Sequence, residues 1–201
     1  MRRSTRKRIS ALSSASSTER SPDILAELVE VRPAEPRDLP AVQAIYAHHV
    51  LHGLASFEEA PPDVDEIRRR HADVTARGLP YVVADLGGTV AGYGYCAPYR
   101  ARSAYRYALE ESVYVRADVV DRGVGRTILG KLIEACVALG YRQLIAVIGD
   151  SGHSASIELH ASQGVLRVGT LRSVGYKHGR WVDSVLMQRP LGPGDGTPPA
   201  R

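Results

Sequence analysis

The 201-residue sequence has only two cysteines, Cys96 and Cys136, and no apolar run near the roughly 20 residues that a membrane-spanning helix needs. Two isolated thiols without metal-ligand spacing argue against a disulfide scaffold and for a reducing, cytoplasmic compartment. None of the seven histidines stands at zinc-ligand spacing, so no metal is expected. There is no internal repeat, which excludes a solenoid. There is also no Gly-Lys-Ser/Thr triplet, which removes the P-loop nucleotide binders.

The positive charge is unevenly spread. Residues 1–20, "MRRSTRKRISALSSASSTER", hold six Arg/Lys and one Glu, a net of +5, while the whole chain carries +4. Residues 21–201 therefore sum to −1 and are close to neutral. Ser/Arg-rich and poor in large apolar residues, residues 1–27 are expected to be a disordered basic tail. Such a tail has three readings: a nucleic-acid arm, a transit peptide, or a plain solvated extension. Residues 192–201, "GPGDGTPPAR", read as a loose Gly/Pro tail. Between them, residues 28–191 have the length and the 44% hydrophobic content of one soluble domain.

Within that domain the periodicity alternates between strand and helix. "LVEVRPAE" predicts a first strand, and Leu39, Val42, Ile45, Tyr46 and Val50 mark a helix with Asp38 as its cap. "PPDVDEIRRRHADVTARG" predicts a second helix, capped by Asp63 and closed by Gly78. "YVVADLGGTVAGYGYCAPY" is a hairpin turning at Gly87-Gly88. A strand over Tyr107 to Val115 follows, then a helix with Ile128, Leu129, Leu132, Ile133 and Cys136 on one face. "RQLIAVIG" is apolar throughout, as a central strand buried on both sides should be. A short helix, Ser154 to Gly164, and the strands "VLRVGTLRSVGY" and "RWVDSVLMQR" complete the order. Hairpins at both ends give an α/β domain on a mixed sheet, which excludes a doubly wound parallel one.

The segment "YALEESVYVRADVVDRGVGRTILGKL" carries the chemistry. Gly123 and Gly125 let the backbone approach a ligand, and the helix that follows aims free N–H groups and its positive dipole end at an anion. A dinucleotide fingerprint needs a third glycine where this chain has Ile128. A plain tight turn remains the bland alternative. Strand alternation also sends Glu110 and Glu111 to opposite faces of the sheet, so only one can serve a given cleft.

The strand, "RGVGR" loop, helix, strand and short helix, preceded by a Glu-bearing strand, resemble the GCN5-related N-acetyltransferase (GNAT) family. "YRARSAYRYALEESVYV", "VAVIGD", "ASIELH" and "VGYKHGRWVDSVLMQR" are similar to signature segments of its phosphinothricin N-acetyltransferase branch. "ASFEEAPPD" resembles that branch's substrate loop. The likeness runs from about Leu28 to Leu191. It implies a GNAT-type mixed, mostly antiparallel central sheet flanked by helices, and acetyl-CoA as co-substrate.

The resemblance also implies the site. Val113, Tyr114 and Val115 would bind the pantetheine arm through backbone groups, and Asp121, Arg122, Gly123, Val124, Gly125 and Arg126 would cradle the pyrophosphate. Two positions depart from the pattern. Val120 replaces a common Arg or Gln ahead of the loop, and His153 stands where the branch has Asn beside the pantetheine. Glu110 falls on the general base, leaving Glu111 a bystander, and His160 on the position of the general acid for the leaving thiolate. Arg100, Arg102 and Tyr105 suit a carboxylate or phosphinate on the acceptor, with Phe57 and Tyr176 as walls. The implied acceptor is a small α-amino acid or analogue of the phosphinothricin, methionine sulfoximine or methionine sulfone type. A homodimer is implied too, with no membrane or nucleic-acid partner. Two other readings stay open: a non-catalytic acyl-CoA sensor, and a nucleic-acid-associated acetyltransferase anchored by the basic tail.

Overall fold

The computed structural model describes residues 29–199. The expected basic tail and Leu28 lie outside the described residues. The element order is β1 (Val29–Pro33), α1 (Leu39–His52), α2 (Val64–Ala76), β2 (Tyr81–Leu86), β3 (Thr89–Pro98), β4 (Ala108–Val115), α3 (Val124–Ala138), β5 (Gln143–Gly149), α4 (Ser154–Ser162), β6 (Leu166–Lys177) and β7 (Arg180–Pro190). This is the order read from periodicity, with ends shifted by a residue or two. The strands form one sheet in the order β1-β2-β3-β4-β5-β7-β6. Among the described residues, β4 and β5 are the one parallel pair. Among the described residues no helix is long and apolar enough to cross a membrane.

The helix ends follow from local chemistry, with one exception. Asp63 accepts the Glu66 backbone N–H at 2.7 Å, as a capping Asp should. Asp38 does not cap α1 in this way, contrary to expectation. Its carboxylate is taken by the Arg32 guanidinium at 2.6 and 2.9 Å and by the Glu35 N–H at 2.8 Å. An ionic partner six residues upstream outcompetes the helix end.

Strand alternation divides the core into two layers. On one face, Ile128, Leu129, Leu132, Ile133 and Cys136 of α3 pack down fully or nearly buried. The helix comes close because β3 offers Gly92 and Gly94 there. A Cβ on Gly94 would lie 2.7 Å from Ile128 Cγ2 and 3.0 Å from Leu132 Cδ1. On the other face, under α1 and α2, stands a layer of tyrosines. Tyr93 and Tyr114 stack at 5.2 Å, and Tyr46 of α1 meets Tyr114 edge-on at 5.1 Å. The described part of the expected loose C-terminal tail is tied down. Arg142 donates to Gly194 O at 3.0 Å and to Pro198 O at 3.3 Å.

Candidate active site

The site begins where the sheet comes apart. Parallel pairing of β4 with β5 ends at Glu111 opposite Ala146, while pairing of β4 with β3 continues to Val115 opposite Gly92. The two strands therefore splay, leaving a cleft lined by Glu111, Ser112, Val113 and Tyr114 on one side and Val147, Ile148 and Gly149 on the other. Just beyond β4, Arg116 N–H donates to Ala91 O on β3 at 2.9 Å. By antiparallel alternation, Val113 and Val115 turn their backbone groups away from β3 and toward this gap. The cleft thus has an edge with strand-type donors and acceptors, matched to an extended amide-bearing ligand.

The glycine loop sits at the end of β4. Gly123 has φ 81° and caps α3, while Asp121 has φ 59°, so the loop crosses left-handed space twice. The first bond of the helix ladder runs from Thr127 N–H to Gly123 O at 3.0 Å. The N–H groups of Val124, Gly125 and Arg126 precede it and point out of the helix start. A Cβ on Gly125 would lie 3.0 Å from Leu159 Cδ2 of α4 and 3.4 Å from Val115 Cγ2, so this glycine joins the loop to the cleft. Asp121, Arg122 and Arg126 are exposed around it, as is Val120 at 47%.

The two glutamates part company. Glu110 faces the α1/α2 side, half-buried, with Arg100 Nη1 at 3.8 Å from its carboxylate. Burial pushes its carboxyl upward from the ordinary range; the Arg100 charge opposes this and the Glu111 charge adds to it. Glu111 faces the α3/α4 side, where its side chain is 1% exposed, and His160 Nε2 lies 2.6 Å from its Oε1. The expected bystander is therefore one half of a buried pair. His160 Nδ1 donates to Ser156 O at 2.6 Å, one turn back in α4. His153 stands at the start of α4, where its Nδ1 accepts the Ser156 N–H at 3.2 Å, and it lines the cleft.

The segment after α1 is laid over the ends of β5 and β6. Phe57, 41% exposed, rests on Gly175, whose added Cβ would enter the ring, and beside Gly149. Lys177, 3% exposed, donates to Ser56 O at 2.7 Å, and Ser56 Oγ lies 2.8 Å from Tyr46 Oη. Tyr105 stacks edge-on against Tyr99 at 5.7 Å, with Arg100 over the Tyr99 ring at 4.2 Å and Arg102 exposed nearby. Tyr176 is directed elsewhere. It meets Trp181 edge-on at 5.3 Å and is 58% exposed, while its neighbours Gly175 and Lys177 face the Phe57 segment.

Comparison with known proteins agrees with this geometry. The acetyltransferase (GNAT) domain model matches residues 31–186. The chain belongs to the GNAT acetyltransferase family. It is 56% identical over 169 residues to a phosphinothricin N-acetyltransferase of Alcaligenes faecalis, covering 84% of this chain and 86% of that protein. It is 39% identical over 170 residues to an L-methionine sulfoximine/L-methionine sulfone acetyltransferase of Pseudomonas aeruginosa, covering 84% and 98%. Among solved structures, a GNAT-superfamily phosphinothricin acetyltransferase of Sinorhizobium meliloti in complex with AcCoA superposes with a TM-score of 0.84. It is 42% identical and covers 87% of this chain and 94% of that one.

Against this GNAT frame, three residues escaped the sequence reading. His49 Nε2 donates to Val115 O at 2.8 Å, at the end of the cleft edge, and burial holds its pKa down. Its only signal was a histidine cluster at 48, 49 and 52 on α1. Lys177 lies in "VGYKHGRW" with no signal of its own, and Glu111 was set aside by the choice of Glu110.

Proposed function

We propose that this GNAT acetyltransferase transfers the acetyl group of acetyl-CoA to the α-amine of a small amino acid or analogue of the phosphinothricin, methionine sulfoximine or methionine sulfone type. The observation that carries this reading is Glu110, a half-buried carboxylate with an upward-shifted pKa, on the strand whose free edge opens the cleft. A general base for an ammonium group works best with a pKa near the working pH, and burial moves Glu110 in that direction. The identities to the phosphinothricin and methionine sulfone enzymes support the acceptor class.

In this mechanism Glu110 takes a proton from the acceptor ammonium, directly or through water, and the freed amine attacks the thioester carbon. Val113 and Val115 hold the pantetheine arm along the β4 edge beside Tyr114. A backbone N–H there stabilises the oxyanion, a contribution worth roughly 3 kcal/mol when one such donor is lost. The N–H groups of Val124, Gly125 and Arg126 face the pyrophosphate, with Asp121, Arg122 and Gly123 shaping the loop and the arginines adding charge. With Val120 at the usual polar position, the backbone does most of that holding. His153 lines the arm's path, and His160 serves as acid for the departing thiolate. Arg100, Arg102 and Tyr105 receive the acceptor's anionic group, and Phe57 walls its side chain.

The catalytic domain is taken as residues 28–191, and the working compartment as the cytoplasm. Acetylation of a toxic analogue of this type would confer resistance to it. A second copy of the chain is the proposed partner. The edge strand β6 exposes Leu166, Val168, Leu171 and Val174 at 49–64%, an apolar row that a homodimer would cover. The test is a thiol-release assay with acetyl-CoA and a panel of amino acids that includes these analogues. Thiol release with an N-acetyl product for one acceptor supports the reading. Tight acetyl-CoA binding with no release on any amine overturns it in favour of a sensor.

A further inference from the structure

Glu111 and His160 together leave one polar atom without a partner. His160 Nδ1 faces a carbonyl oxygen, Ser156 O, at 2.6 Å, which can only accept, so Nδ1 must carry a hydrogen. Nε2 then faces Glu111 Oε1 at 2.6 Å, and a hydrogen bond there requires exactly one proton between them, on nitrogen or on oxygen. With none, two lone pairs would oppose; with two, two hydrogens would. The side chains are 6% and 1% exposed, so solvent does not relieve either case. Glu111 Oε2 is buried and has no hydrogen-bond partner among the described residues, yet Glu111 and His160 both line the cleft beside Val113.

We propose that Glu111 is a positioning residue for His160, the two side chains holding a single proton and acting as one acid toward the sulfur that leaves in the cleft. The inference rests on the acetyl-transfer reading above. When the C–S bond breaks, its electron pair stays on sulfur. The pair then gives up its single proton to that sulfur, leaving a neutral imidazole with hydrogen on Nδ1 opposite an ionised Glu111, a short-lived state whose opposed lone pairs across 2.6 Å drive uptake of the next proton. Oε2 is the acceptor available to the new S–H. A proton from water restores the pair, matching the one that the acceptor ammonium releases through Glu110.

Electrostatics agree with the geometry. Burial works against a charged His160, but the hydrogen bond and charge of Glu111, with the Ser156 carbonyl, outweigh it and hold the imidazole pKa above its ordinary value. The other ionisable groups around Glu111 are Glu110 beside it, Tyr114, and Cys96 on β3 with its neighbour Cys136 on α3. Both thiols are buried, and the contact with Cys136, together with burial, pushes the Cys96 thiol well above its ordinary value.

The test compares Glu111→Gln and Glu111→Asp with the wild type. Gln is isosteric and can still donate an amide N–H to Nε2, but it has no proton to give up. Glu111→Gln should keep its melting temperature, lose kcat by about 10²-fold with KM for acetyl-CoA unchanged, and recover part of that in Glu111→Asp. Nitrogen-15 spectra of His160 in the free protein should show the shared proton leaving at lower pH in Glu111→Gln than in wild type, with Nδ1 protonated in both. A Glu111→Gln variant with wild-type kcat, or with an unmoved His160 titration, overturns the proposal. Absence of thiol release by the wild type is the separate failure of the acetyl-transfer reading, and the His160 titration still tests the pair.

Discussion

Glu110 and Glu111 are adjacent in β4 yet serve opposite faces of the sheet: one meets Arg100 at 3.8 Å, the other His160 at 2.6 Å. Strand alternation alone produces this division, and two identical side chains acquire different surroundings from it. The half-buried one keeps access to solvent beside Arg100, whereas the fully buried one is locked to the His160 imidazole. A single strand thus presents a half-buried carboxylate to one side and a buried carboxylate–imidazole pair to the other, with the free edge of the cleft between them.

The charge of Arg100 should be visible in the pH dependence of the reaction. Glu110 must be ionised to act as a base, so kcat/KM should rise with pH through its upward-shifted pKa. Burial is the larger influence on that value, and Arg100 lowers it. Replacing Arg100 with Met should therefore move the rising limb to higher pH, by less than about one unit because the pair is partly exposed. A pH profile of kcat/KM, taken at sub-saturating acceptor and saturating acetyl-CoA, checks this; a limb displaced to lower pH would contradict it.

Gly175 sets the position of Phe57. An added methyl would overlap the Phe57 ring, which is 41% exposed and free to swing away. Gly175→Ala should cost little stability, yet raise the acceptor KM several-fold while the KM for acetyl-CoA holds. Gly94→Ala is the contrasting case, because Ile128, Leu132 and the Ser112 carbonyl give no such freedom. Overpacking of that kind costs roughly 1–3 kcal/mol. Melting curves and acceptor kinetics on the two variants separate the effects.

Arg32 and Asp38 should dominate the acid limb of stability. The Arg32 guanidinium, hydrogen-bonded to Asp38, holds its carboxyl below the usual range against the opposing effect of burial. A depressed carboxyl stabilises the fold above its unfolded pKa of about 3.9 and loses that contribution as pH falls through the folded value. Arg32→Met strands the Asp38 charge at a site 5% exposed, a loss of roughly 3 kcal/mol at pH 7. Urea unfolding at pH 7 and near pH 3 should show the difference from wild type shrinking in acid. An undiminished difference would mean that packing, not charge, is what Arg32 supplies.

What could be read from the sequence was what has a local signal. The helices announced themselves through apolar spacing and Asp63, the hairpin through Gly87-Gly88, and the glycine loop through Gly123 and Gly125 between a strand and a helix. Asp38 was misread because its partner, Arg32, lies on another element and competes with the helix end. Glu111 was set aside because His160 lies 49 residues further on, and no spacing rule links a strand to a helix across a sheet. His49 acts on a carbonyl 66 residues away, and Lys177 on one 121 residues back, so both depend on the assembled fold. Tyr176 was grouped with Phe57 by sequence motif, but alternation in β6 turns it to the other side.

The most direct measurement is thiol release by Glu110→Gln beside the wild type, with acetyl-CoA binding followed separately by calorimetry. The account predicts turnover reduced by about 10²-fold or more with acetyl-CoA affinity unchanged, since the cleft edge and the glycine loop are untouched. Wild-type turnover in Glu110→Gln would contradict it, and would move the base to another residue.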